Sequence, residues 1–332
     1  MPIVTIVGTT TWGTTLGIIL AREGVVVRML ARTKKEAATL EIHRENKRFL
    51  TGVQFPESMT VTADARKACA VSDLVAFVVP SGTLRDNVRN LSGFLDPNSI
   101  IVSATKGLEV NSGKRMSEVL YEEIGDSIKY GICALSGPNL AHEIASAKPS
   151  STVIASSDYG AMAKVQQITN SSMFRVYTNN DIAGVEYCGA LKNVIALGAG
   201  IVDGLEMGDN AKAAFITRGL AEITRLGVAG GASAPTFAGL AGMGDLIATC
   251  SSKLSRNHFV GEQLAKGLNV QQIRNMMSNV AEGIDTTHAV LKRASAFSVD
   301  MPIARVIHDI LFEDLPVSDA VTRLMGRVPT SE

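Results

Sequence analysis

The run Pro2-Ile-Val-Thr-Ile-Val7 stops at Gly8, and a helical pattern follows from Gly13 to Ala21. A β-branched strand, a glycine turn and a helix at the very start of a chain open a dinucleotide-binding βαβ unit. The fingerprint lacks its middle glycine, because Thr10 stands there. That glycine normally lets backbone approach a pyrophosphate closely. A threonine adds a β-branched side chain whose hydroxyl can donate to a phosphate. The outer glycines still permit the tight turn, and the same turn also serves an ordinary strand–helix joint. We assign the turn to Gly8, Thr10, Thr11, Trp12 and Gly13.

Strand-like runs then recur at Val25 to Ala31, Ser72 to Pro80, Ser99 to Ser103, Tyr130 to Leu135, Thr152 to Ser156 and Phe174 to Thr178, with a helical segment at Tyr159 to Thr169. Strands alternating with helices predict a parallel, doubly wound sheet. After about residue 182 they stop. The segments Val185 to Leu205, Asn210 to Gly227, Ala238 to Leu246, His258 to Lys266, Val270 to Met277, Thr286 to Ala296 and Ile303 to Leu311 all read as helices. The expected fold is therefore α/β: a Rossmann-like doubly wound domain over 1–183 and an all-α domain over 184–332. Nothing between them has the composition of a flexible linker.

Composition closes off other classes. Lysine plus arginine (32) equals aspartate plus glutamate (32), so no charge excess draws the chain to nucleic acid or a membrane surface. Four scattered cysteines and five histidines show neither disulfide nor metal-ligand spacing; no metal is expected. No uninterrupted apolar run reaches the roughly 18 residues of a membrane helix, and no charged leader precedes an apolar core, which predicts a cytoplasmic protein. A homodimer is allowed but not required by anything in the chain.

The second strand runs out into Ala31-Arg32-Thr33-Lys34-Lys35. An NAD-specific site wants an acid about 20 residues past the glycines, for the ribose 2′-hydroxyl. Here cations stand instead, so Arg32 and Lys34 predict NADPH over NADH, with NADH still usable. A solvated helix start reads the same way, although cations are unfavourable there.

Lys192 lies inside the apolar run Ala190 to Leu197. Burial disfavours an ammonium and lowers its pKa, which suits a general acid/base. A snorkelling lysine, its stem buried and its head in water, gives the same pattern. Lys106 follows a strand, at the carboxyl edge where open α/β sheets hold ligands. Asp245 stands among glycines, with Thr249 four residues on, and Ser255-Arg256-Asn257 forms a polar triplet able to bind an oxyanion. A helix cap and a surface ion pair are the structural alternatives for Asp245 and Arg256.

Together these stretches resemble one family, the bacterial-type NAD(P)-dependent glycerol-3-phosphate dehydrogenases. The matching pieces are Trp12-Gly13-Thr14, Asn46 to Val53, Val79-Pro80-Ser81, Ser103 to Glu109, Leu135 to Pro138, Gly189 to Val194, Gly208 to Asn210, Gly239 to Leu246 and Leu254 to Asn257. The resemblance implies a helical domain of the 6-phosphogluconate-dehydrogenase-like kind. It implies reversible reduction of dihydroxyacetone phosphate to sn-glycerol 3-phosphate, feeding glycerophospholipid synthesis. Lys192 would be the proton donor and acceptor, tuned by Asp245 with Thr249 and Asn193. Lys106 would touch cofactor and substrate. Gly137, Asn139, Asp245, Ser255, Arg256 and Asn257 would border the substrate, and Ala141, Arg256, Val280 and Glu282 the cofactor. The family usually has serine or threonine where Asn139 stands. Two other readings remain: a related dehydrogenase acting on a different hydroxy acid or polyol, and a cofactor-binding regulator without turnover, which Thr10 alone supports.

Overall fold

The computed structural model describes residues 1–277 and 281–328. The chain divides into two compact units. The first comprises 1–106 and 115–186, the second 107–114 and 187–332. The main division falls at Glu186/Tyr187, three residues beyond the boundary expected at 183/184, and the excursion 107–114 clusters with the second unit. Within the second unit that excursion is tied to the helix Glu282–Ala296, where Lys292 Nζ donates to the Asn111 carbonyl.

Among the described residues the first unit has eight strands: β1 (Ile3–Val7), β2 (Val26–Leu30), β3 (Met59–Thr62), β4 (Leu74–Phe77), β5 (Ile100–Ser103), β6 (Cys133–Ser136), β7 (Ser150–Ala155) and β8 (Phe174–Asn179). They form one sheet in the order β3-β2-β1-β4-β5-β6-β7-β8. Its helices are α1 (Thr11–Arg22), α2 (Lys34–His43), α3 (Ala65–Cys69), α4 (Leu84–Leu91), α5 (Met116–Ile124), α6 (Ala141–Ala145) and α7 (Tyr159–Thr169). Both sheet faces are packed: Ile6, Met29 and Leu16 belong to one apolar cluster, Phe77, Ile101 and Leu120 to another. That is why β4 and β5 read as unbroken apolar runs rather than alternating ones.

Two strand expectations are corrected. β3, at the sheet edge, is four residues of Met-Thr-Val-Thr and lacks a strong apolar signal. The sheet is also not wholly parallel, because β7 pairs with β6 antiparallel and carries β8 with it. The helix between β6 and β7, α6, has only five residues, an advance of about 7.5 Å. The chain turns round there instead of crossing back.

The order reverses around β1 and β4. At such a switch point the loops after two neighbouring strands diverge and leave a crevice at the carboxyl edge.

A continuous helix, α8 (Ile182–Gly204), leads into the second unit, which is all helical among the described residues. α8 is long and apolar enough to cross a membrane, but 94% of its most apolar stretch is buried inside the protein. It continues to α9 (Asp209–Ala229), α10 (Ala234–Phe237), α11 (Asp245–Ser251), α12 (Arg256–Ala265), α13 (Val270–Met276), α14 (Glu282–Ala296), α15 (Pro302–Phe312) and α16 (Val317–Met325). The helix expected over Ala238 to Leu246 is instead broken: a π-type turn, Leu240–Gly244, separates α10 from α11. α8 and α12 meet backbone to backbone. A Cβ on Gly200 would lie 2.0 Å from the His258 carbonyl oxygen, and one on Gly261 2.0 Å from that of Leu197.

Glu222 on α9 holds the second unit together in another way. It is 1% exposed, and its carboxylate accepts from the amides of Ile303 (2.9 Å) and Ala304 (2.8 Å) at the start of α15. Burial pushes its pKa from 4.5 up to about 7, against the pull of those donors. The folded state therefore holds this proton more tightly than the unfolded chain does. The associated stability is full below 4.5 and is lost as pH rises to about 7. Glu222→Gln cannot ionise, though its NH2 gives up one of the two acceptors and sets a constant offset; against that offset it should gain on the parent by roughly 1.4 kcal/mol per unit of pKa shift removed as pH climbs through that window. Urea unfolding of both proteins between pH 4.5 and 8 measures it, and a difference that stays flat with pH would refute the assignment.

Candidate active site

In the first unit, the turn after β1 is built as a cradle. Gly8 has φ +111°, and a Cβ there would lie 2.6 Å from the Val78 carbonyl oxygen, just after β4. A Cβ on Gly13 would lie 2.4 Å from the Gly8 oxygen. Neither position can carry a side chain without opening the turn. Thr10 is the N-cap of α1. Its hydroxyl accepts from Gly13 N (3.0 Å) and donates to Val78 O (2.9 Å). Its proton is thus spent on protein and not offered to a phosphate. The amides of Thr11 and Trp12 precede Thr14 N, the first that donates within the helix, to Thr10 O, and no acid stands in the first turn, so this helix start suits an anion. Trp12 Nε1 is buried without a partner among the described residues. Asn46, only 2% exposed, pins the turn by donating to Thr9 O (2.9 Å) and Thr14 Oγ1 (2.8 Å).

The neighbouring loops bring further polar atoms to the same edge. Thr105 ties the loops after β4 and β5, donating to Phe77 O and accepting from Val79 N, both at 3.2 Å. Lys106 comes next, and its Nζ donates to Gly137 O at 2.9 Å. Asn139 Nδ2 donates to Thr152 Oγ1 at 3.0 Å. Asn139 Oδ1 and Ser136 Oγ are buried without partners among the described residues. Buried polar atoms are normally satisfied, so orphans grouped at one edge mark where a polar ligand belongs. Ser136 was not singled out from sequence; a serine ending a strand carries no distinguishing pattern. Ala141 opens α6, its carbonyl 3.4 Å from Thr15 Oγ1. A nicotinamide dinucleotide fits this set: a turn closed by two glycines that admit no side chain, a helix start without acids in its first turn, a lysine and unspent polar atoms. Arg32 and Lys34 stand exposed beyond β2.

In the second unit, Lys192 is 6% exposed and does not snorkel. Its Nζ donates to Asp245 Oδ1 and to Thr249 Oγ1, both at 2.6 Å. Asp245 is 2% exposed. Thr249 in turn donates to the Asp245 carbonyl at 2.6 Å, so residues four apart on α11 share one face as their spacing implied. Cys250, beside them, has its thiol pushed up to about 12 by burial and is no nucleophile.

The Ser255-Arg256-Asn257 triplet forms the start of α12. Ser255 is its N-cap, accepting from His258 N at 3.2 Å. Arg256 is exposed. Asn257 is buried, and its amide is largely committed to protein: Nδ2 donates to Asn193 Oδ1 and Oδ1 accepts from Gly283 N, both at 2.9 Å. Asn193 and Asn257 thereby join α8, α12 and the first turn of α14, which Glu282 opens. Val280 lies outside the described residues. At the root of α8, in the first unit, buried Glu186 accepts from Ser117 N (2.7 Å), Ser117 Oγ (2.5 Å) and Arg115 Nη1 (2.6 Å). Burial raises its pKa despite that arginine.

A family model described as the N-terminus of NAD-dependent glycerol-3-phosphate dehydrogenase matches residues 3–162, and its C-terminal counterpart matches 181–322. The chain is 48% identical to glycerol-3-phosphate dehydrogenase (NAD(P)+) of Dehalococcoides mccartyi, over 97% of this chain and 90% of that one. It is 44% identical to the enzyme of that name from Prosthecochloris aestuarii, over 99% of both. The crystal structure of glycerol-3-phosphate dehydrogenase from Coxiella burnetii superposes with a TM-score of 0.94 at 33% identity, covering 98% of this chain and 99% of that one. With both halves matched and near-complete coverage, the chain belongs to the NAD(P)-dependent glycerol-3-phosphate dehydrogenase family.

Proposed function

We propose that this chain catalyses the reversible NAD(P)H-dependent reduction of dihydroxyacetone phosphate to sn-glycerol 3-phosphate, in the cytoplasm, as a monomer or homodimer, supplying glycerophospholipid synthesis. The observation that carries the reading is the Lys192 ammonium, buried and held by a carboxylate and a hydroxyl at 2.6 Å.

The bound cofactor supplies or accepts hydride at the substrate's C2. As charge grows on the C2 oxygen, Lys192 gives it a proton. The Asp245 carboxylate and Thr249 keep that amine aimed throughout, and Thr249, fixed on Asp245 O, cannot rotate away. Lys106 adds positive potential where the oxyanion develops. The phosphate is taken by Arg256, whose fork suits its geometry, with Ser255 and Asn257 at the start of α12. The Asn193–Asn257 bond couples that anchor to the residue after Lys192. Binding energy from the non-reacting phosphate is thus spent on placing the carbonyl. By the family resemblance, Gly137 and Asn139 would border the substrate, and Ala141 and Glu282 the cofactor. Thr10 serves as a helix cap, its hydroxyl held between Gly13 N and Val78 O, a structural role that does not single out a regulator without turnover.

Lys192→Ala should lose about 10²–10⁴ of kcat, the range of a general acid, with the NADPH dissociation constant little changed. Retained turnover would remove the assignment. In Asp245→Asn, a charge favouring the ammonium is gone. The proton needed for reduction is then lost at lower pH, so the alkaline limb of the kcat profile should move down; a limb that stays or rises contradicts the role given to Asp245.

Neutralising Arg32 and Lys34 together should weaken NADPH about tenfold more than NADH, as fits the loss of two cations near a phosphate. Dissociation constants followed through the single tryptophan, Trp12, decide it, and equal losses for the two cofactors would refute the 2′-phosphate contact.

A further inference from the structure

The stretch past β2 does contain an acid. Glu36 is the third residue of α2, 23 positions past Gly13, and the fold turns it back toward the cofactor turn. Its own amide donates to the N-cap hydroxyl of Thr33 at 3.1 Å. Its carboxylate accepts from Thr9 Oγ1 at 2.6 Å and from Arg32 N at 3.3 Å. Thr9 lies in the turn after β1 and Arg32 in the loop after β2. These strands are neighbours in the sheet, and Gly8 N donates to Leu30 O at 3.2 Å. A carboxylate bridging those two loops stands where a dinucleotide fold meets the 2′ position of the adenosine ribose.

We propose that Glu36 is the residue that keeps NADH usable and limits the preference for NADPH, resting on the reading that the Gly8–Gly13 turn holds the cofactor. Each carboxylate oxygen uses one lone pair on Thr9 or Arg32 and has another to spare, enough to accept a 2′-hydroxyl. Toward a 2′-phosphate the same group is a like charge. Arg32, Lys34 and Lys35, all exposed, pull the other way. The site thus opposes one partly buried anion to three solvated cations, and the balance between them sets the cofactor ratio.

The test uses cofactor fragments, so it is independent of turnover. Calorimetry of the intact protein with 2′,5′-ADP and with 5′-AMP gives the ratio of their dissociation constants in the parent, in Glu36→Gln and in Thr9→Val. Glu36→Gln keeps an acceptor and loses the charge, and should shift the ratio about tenfold toward 2′,5′-ADP. Thr9→Val removes the tie to the turn without touching the charge and should leave the ratio within about twofold. An unchanged ratio in Glu36→Gln, equal shifts for both fragments, or a Thr9→Val shift as large as that of Glu36→Gln would each overturn the proposal. A parent that shows the ratio shift yet reduces no dihydroxyacetone phosphate would defeat the reaction proposed above and leave this inference standing.

Discussion

A buried ammonium facing a buried carboxylate is the costliest feature of the second unit, and much of that unit exists to hold it. Removing one partner of such a pair costs about 3–5 kcal/mol, because the other is left charged and unpaired. The pair itself adds little net stability, so its upkeep falls on the packing around it. α8 is buried on every side near Lys192, with Leu191, Val194 and Ile195 fully or almost fully buried and the polar Asn193 paired to Asn257. Its neighbour α12 comes close enough for glycine backbones to touch carbonyl oxygens at Gly200 and Gly261. That contact excludes water, and the Asn193–Asn257–Gly283 chain fixes the rotation of α12 about its own axis. Precision at the amine and precision at the start of α12 thus come from the same helix crossing.

What the sequence made legible follows from where the signal is local. Buried parallel strands are short apolar runs, so β1, β2, β4 and β5 could be read directly, and α7 lay where its pattern put it, at Tyr159–Thr169. β3 could not be read, since an edge strand of Met-Thr-Val-Thr has neither a long run nor clean alternation. The reversal at β7 depends on how far five residues of α6 can travel, which is a property of three dimensions and not of pattern. Nor does periodicity show the π-type turn before Asp245: the apolar spacing runs on through Leu240 and Leu246 while the backbone changes its winding. The boundary between the units carries no local signal for a related reason. α8 is continuous across it, and residues 107–114 change allegiance without any change in composition.

The site shows the same split. Lys192, Asp245 and Thr249 were legible because a charge in an apolar run is conspicuous and a four-residue spacing has one meaning on a helix. Asn257 was legible as a polar residue at a helix start, but its amide faces Asn193 and Gly283, a partnership no spacing reveals. Glu36 was hidden because the expected acid was sought at the strand end. A residue in the first turn of the following helix comes back to the turn after β1 through its carboxylate, which accepts from Thr9 Oγ1 and Arg32 N, a contact no sequence spacing shows.

Thr10 shows how a departure from a motif can be absorbed. Every helix start has orphan amides that something must satisfy. With glycine at this position, a ligand's phosphate would have to serve them all. With threonine, the hydroxyl accepts from the amide of Gly13 and donates to Val78 O, so the turn is ordered before any ligand arrives. The amides of Thr11 and Trp12 are what remain for an anion. A turn that offers fewer donors but is already rigid gives up binding enthalpy and avoids an ordering cost. The cations after β2 and Lys106 after β5 supply attraction at longer range. Affinity in this chain therefore leans on charge more than on the glycine turn, and it should fall with added salt more steeply than a turn built on three glycines would allow.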